Sequence, residues 1–148
     1  MPSTSPTACP TRHLAAKAGP AQGAAGSVYQ VIDFTNISGT TCTLSGYPGV
    51  SLAGGTPVTQ IGAAASRSTS AAASVVTLTP GETASALLRI TQAANYPTAT
   101  CSPTRAAYLR IYPPDQFTPI ELAYRSIGCS SVSVNLLSIG AVRAGTGG

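Results

Sequence analysis

Tryptophan is missing from this sequence, histidine and methionine occur once each, and phenylalanine only twice. Eight basic and four acidic residues supply all the side-chain charge in 148 positions. Each scarcity closes off a class of function. His13 is the only imidazole and lies beside Cys9 near one end of the chain. A nucleophile–base arrangement would need an orienting acid, for which Asp33 and Glu121 are the candidates, and an enzyme built on His13 is a minor reading. Asp33, Glu82, Asp115 and Glu121 are isolated along the chain and read as solvated strand ends and turns, not as the carboxylate pair that glycoside cleavage requires. No phosphate-cradling loop or dinucleotide fingerprint is present. No catalytic or cofactor-binding residue is expected, and no cofactor.

Metal, nucleic acid and membrane fare no better. The four cysteines form no Cys-x-x-Cys pair, and with one histidine they do not read as a zinc site. Lys17 and the seven arginines are scattered singly, whereas a phosphate-tracking surface gathers its cations on one stripe. No nucleic-acid partner is expected despite the net charge of +4. No stretch approaches the roughly 18 apolar residues of a membrane span. Met1-Pro2-Ser3 leads straight into polar sequence without a secretory leader. Because four widely spaced cysteines fit disulfides and an oxidising compartment, the expectation is nevertheless an exported protein whose leader is absent from this chain.

What remains is small, hydroxylated and rich in turns. Alanine accounts for 24 residues and Leu, Ile, Val and Phe together for only 29. There are 36 Ser plus Thr, 15 Gly and 12 Pro. With so little net charge this composition reads as an all-β domain with many turns rather than as disorder. Ser27–Asn36 is the clearest strand: Val28, Gln30, Ile32 and Phe34 share one face, and Tyr29, Val31, Asp33 and Thr35 the other, which Asp33 and Thr35 mark as the wetter one near the strand's end. Further strands are expected at Cys9–Lys17, Thr41–Leu44, Ser74–Leu78, Glu82–Thr91, Ala107–Tyr112, Ile120–Tyr124 and Ser131–Ile139, with a hairpin about Gly54-Gly55. Gly19–Gly26 and Gln92–Thr104 read as loops. Ala63–Ala73 has helix as its competing assignment, but four Ser/Thr residues and no large apolar face favour a loop.

The segment NISGTTCTLSGYPGV, Asn36 to Val50, resembles a family of secreted actinobacterial proteins known only as domain of unknown function 4232. The likeness extends through Leu78-Thr-Pro-Gly81, Asn95-Tyr-Pro97, Cys101-Ser-Pro103, Tyr112-Pro-Pro114 and Cys129-Ser, covering roughly Cys9 to Val142. It implies an exported or lipid-anchored protein with an immunoglobulin-like sandwich, and brings no activity. The domain organisation expected is a linker remnant at 1–8, one antiparallel β-sandwich of about seven to nine strands at 9–142, and a flexible tail at 143–148.

Two disulfides are expected among Cys9, Cys42, Cys101 and Cys129, which implies an oxidising compartment. Cys9–Cys42 with Cys101–Cys129 closes the shorter loops and is favoured; the nested pairing Cys9–Cys129 with Cys42–Cys101 stays open. The segment Tyr112-Pro113-Pro114-Asp115-Gln116-Phe117 puts two aromatics beside a rigid corner at one end of the sandwich, where such folds place recognition loops, and Tyr96 could join it. The functional expectation is a non-catalytic extracellular or cell-envelope module that binds protein or wall polymer. The alternative is a secreted protease inhibitor presenting Thr91–Thr104 as a rigid, extended loop braced by Cys101.

Overall fold

The computed structural model of the protein describes residues 6–69 and 72–146. Its first long strand, β1 (Leu14–Ala24), follows a 3-10 turn at Thr11–His13 and pairs antiparallel with β2 (Ser27–Asn36). β1 therefore runs through the Gly/Ala stretch expected to be a loop. Its register shifts between Ala18 and Ala21, so Gly19 and Pro20 form a bulge, the place where a proline without an N–H is tolerated. Gly19 fits because a Cβ there would come within 2.7 Å of Asp33 Oδ2.

The chain then leaves this sheet. β3 (Cys42–Ser45) pairs with β7 (Val75–Leu78) as a small separate ladder. Between them come β4 (Gly49–Gly54) and β5 (Thr59–Ile61), the hairpin expected about Gly54-Gly55, and the two-residue β6 (Ser66–Arg67). Apart from β6, the described part of 63–73 is loop; residues 70 and 71 lie outside the described residues. β8 (Thr83–Thr91) returns to pair with β2 along its length, Ser27 opposite Thr91 and Thr35 opposite Thr83. Thr79-Pro80-Gly81-Glu82 makes the turn into it: Glu82 N–H donates to Thr79 O at 3.0 Å, and Gly81 takes the positive φ of 88° that a type II turn demands at its third position.

β9 (Pro103–Tyr112) and β10 (Ile120–Cys129) form the longest hairpin, with β4 on the other flank of β9. β11 (Leu137–Ile139) and β12 (Arg143–Ala144) both pair with β8. The sheets are thus β1-β2-β8-β11-β6, with β12 also on β8, and β10-β9-β4-β5. Two-residue strands such as β6 and β12 take the number above the seven to nine expected. Arg143–Ala144, assigned to the tail, is paired with Ser85 and Ala84, and Gly147–Gly148 lie outside the described residues. Of the expected linker remnant, residues 1–5 lie outside the described residues, whereas Ala8 bridges to Thr43 and Thr7 O accepts from Thr43 N–H at 2.9 Å.

The two main sheets close on one core. Ile32, Phe34, Leu88 and Ile139 face it from the first, Val50, Leu52, Leu109 and Ile111 from the second, and Leu44 and Leu78 from the small ladder; all are buried. Each such side chain contributes about 1.5–3 kcal/mol by leaving water. Asn36 is fully buried among them and fully used: Nδ2 donates to Thr40 O and Leu78 O at 2.8 and 3.0 Å, and Oδ1 accepts from Ser38 N–H and Oγ. It locks the turn after β2 to the end of β7. The fold is an all-β, two-disulfide sandwich, as expected. One detail is corrected. On the outer face of β2, Tyr29 and Thr35 are half-buried, but Asp33 is not wet: it is 3% exposed and its cross-strand partner Ser85 1%.

Candidate functional site

The loop joining β9 to β10 is built by two prolines. Neither Pro113 nor Pro114 can donate to a ladder, so β9 stops at Tyr112. Both are buried, and they fix the exit of the chain. Gln116 N–H donates to Pro113 O at 3.0 Å, closing a turn in which Asp115 takes a φ of 63°. The next residue but one, Phe117, is 95% exposed. A phenyl ring turned outward at that level contributes nothing to the core and stays in water at a cost.

The loop is held from a second direction. Thr11 Oγ1 in the 3-10 turn donates to Thr118 O at 2.6 Å. His13 O in the same turn accepts from Ile37 N–H at 2.8 Å, and Ile37 is itself 61% exposed. Two bare apolar side chains, Phe117 and Ile37, thus flank the Thr11–His13 turn at one end of the sandwich. Ile37 was not singled out in the sequence. Its signal was a large apolar residue between Asn36 and Ser38 in a turn, where polar residues are usual.

Tyr112, Pro113, Pro114 and Phe117 share this corner by their adjacency in the chain, with the prolines buried, Tyr112 half-buried and Phe117 exposed, but Tyr96 is not with them. It lies in the segment that enters β9, whereas Phe117 lies in the loop that leaves it. The ten residues of β9 put about 30 Å between those ends. Tyr96 packs against the core, and the neighbouring Asn95 Nδ2 donates to Gly26 O at 2.9 Å at the β1–β2 turn. The surrounding segment also departs from the extended loop that an inhibitor would present. Ala93–Asn95 is a 3-10 turn and Thr98–Cys101 an α-helical turn, with Ala93 and Cys101 buried. A coiled segment does not offer a protease cleft an extended strand.

The cysteines join as favoured, Cys9 to Cys42 and Cys101 to Cys129. The first ties the N-terminal turn to β3; the second ties the helical turn to the end of β10. The acidic groups are dispersed. Glu121 Oε1 accepts from Arg110 Nε across β9–β10. Glu82 accepts from the Thr79 hydroxyl and, at 2.9 Å, from its N–H, and these bonds hold its carboxyl below the usual range. Tyr124 is shifted upward by burial. Among the described residues no three His, Cys, Asp or Glu side chains gather as a metal site. No helix among them is long and apolar enough to cross a membrane.

These features define a class: an all-β, disulfide-braced domain that carries an exposed aromatic loop on a rigid frame. The chain belongs to the family described as a domain of unknown function, DUF4232, which matches residues 9–143. Neither a curated protein nor a solved structure matches it.

Proposed function

We propose that this chain is a non-catalytic, extracellular binding module whose contact surface is the loop bearing Phe117 together with Ile37. The observation that carries the reading is the 95% exposure of Phe117 on a loop anchored by two buried prolines and by Thr11. Exposed aromatics on pre-ordered loops bind at small entropic cost, because little remains to be ordered on contact. The two disulfides fit a protein that works in an oxidising compartment outside the cytoplasm. An apolar pair of this kind suits a protein surface better than a polar wall polymer.

The test is co-sedimentation of the purified domain with fractionated cell envelope: peptidoglycan, membranes, and solubilised surface proteins immobilised on beads. Saturable retention by the surface proteins, weakened at least about tenfold by Phe117→Ala, is the expected result. Retention by peptidoglycan alone would move the partner to the wall polymer. Absence of saturable retention by every fraction would sink the reading.

A further inference from the structure

The outer face of the sheet β1-β2-β8-β11 carries a second feature, remote in character from the Phe117 loop. A half-open hollow of about 390 Å³ lies on it, with Arg89 and Arg143 both in its wall. Tyr29, Arg89 and Ser138 stand in one register row across β2, β8 and β11. Arg143 stands opposite Ser85, four residues along β8 from Arg89, so the two stems are separated by about 13 Å along the strand. Leu87 lies between them, and Gly140, whose N–H donates to Leu87 O at 3.0 Å, keeps the wall there low.

We propose that this hollow is a binding site for a ligand carrying phosphate groups, held between the guanidinium groups of Arg89 and Arg143. Charge complementarity points to the ligand. Both arginines are exposed, and among the described residues neither has a carboxylate ion-pair partner and no acidic side chain lines the hollow. Arg89 is oriented by its Nε, which donates to Ser27 Oγ at 3.4 Å. Guanidinium forks match the oxygen geometry of phosphate, and the hydroxyls of Tyr29 and Ser138 supply neutral donors for the remaining oxygens. The nearest carboxylate in register is Asp33, opposite Ser85, which lies outside the lining and whose Oδ1 accepts no hydrogen bond.

The test uses the intact domain and isothermal titration calorimetry with inorganic pyrophosphate at low salt. Binding is expected, with a loss of at least about tenfold in each of Arg89→Ala and Arg143→Ala. Thermal melting of the variants confirms that they fold. A second arm replaces pyrophosphate with a soluble phosphodiester polymer: tighter binding than pyrophosphate assigns the phosphate to a polymer, weaker or equal binding to a free diphosphate, and both sustain the site. No heat of binding up to about 10 mM pyrophosphate, or affinity unchanged in the folded double variant Arg89→Ala/Arg143→Ala, would overturn it.

Discussion

Thr11 Oγ1 and Thr118 O, 107 residues apart in the chain, meet at 2.6 Å and so couple the N-terminal turn to the loop that carries Phe117. Replacing Thr11 by Val removes the donor and keeps the shape. The expected cost in stability is at most about 1 kcal/mol, since the bond is exposed and water replaces it. The expected local effect is larger: amide hydrogen exchange should quicken in residues 115–118 while β2 and β8 keep their protection. Unchanged exchange in that loop would mean that the prolines alone hold it.

The disulfides span 33 and 28 residues of sequence. Closing loops of that length restricts the unfolded chain by about 3.5 kcal/mol each in the loop-entropy treatment. Replacing either pair by Ala should therefore lower urea-unfolding stability by about that amount. Non-reducing peptide mapping should recover Cys9 with Cys42 and Cys101 with Cys129. A peptide joining Cys9 to Cys129 would contradict the fold itself.

Two glycines with similar backbone conformations should respond very differently to alanine. Gly62 has a φ of 72°, and a Cβ there would lie 2.1 Å from Cys129 O. Gly81 has a φ of 88° and open space around it. Gly81→Ala should cost about 1 kcal/mol, the strain of the left-handed region alone. Gly62→Ala adds a backbone collision beside the second disulfide and should cost about 3 kcal/mol or more. Equal melting temperatures for the two variants would contradict this packing.

Glu82 should titrate below its ordinary value of 4.5, because the Thr79 hydroxyl and N–H both donate to its ionised form. A depressed carboxyl contributes stability above its unfolded pKa and loses that contribution as pH falls through the folded value. Thr79→Val removes the larger of the two causes, so the NMR titration midpoint of Glu82 should rise toward 4.5. The stability difference between Thr79→Val and the parent should shrink on acidification below that midpoint. A midpoint that does not move would show that the backbone N–H is sufficient.

Strands whose residues favour the extended state were legible in the sequence. In β2 and β8, β-branched and alternating residues show both the element and its inner face, and Pro113-Pro114 marks the end of β9 by chemistry alone. β1 was half-missed because Gly19 to Ala24 have no preference for a strand; they are extended because β2 supplies their hydrogen bonds. Ser131–Asn135 failed in the opposite sense. Local side chains outcompete a ladder there, with Asn135 Oδ1 accepting from Leu137 N–H and Ser131 paired to Ser133. The burial of Asp33 was illegible too, since an outer face is wet or dry according to what other segments lay across it. The separation of Tyr96 from Phe117 has the same origin: turn chemistry reveals that a loop exists, not at which end of a sandwich it emerges. Arg89 and Arg143 become neighbours of one hollow only because the short β12 returns to β8.

The pairing of β2 with β8 has a kinetic consequence. Thr35 and Thr83 touch through their hydroxyls at 2.8 Å, yet 48 residues separate them, and those residues build the small ladder and the β4–β5 hairpin on the way. The β1–β2 hairpin can form early because its ends are close in sequence. The centre of the sheet has to wait until a long excursion has been closed, and that closure gives up chain entropy before the contacts that repay it exist. Folding in milliseconds to seconds is the speed such a topology sets. During that interval one edge of β2 keeps its backbone N–H and C=O groups unpaired, so the newly made chain is at its most vulnerable to association before β8 arrives.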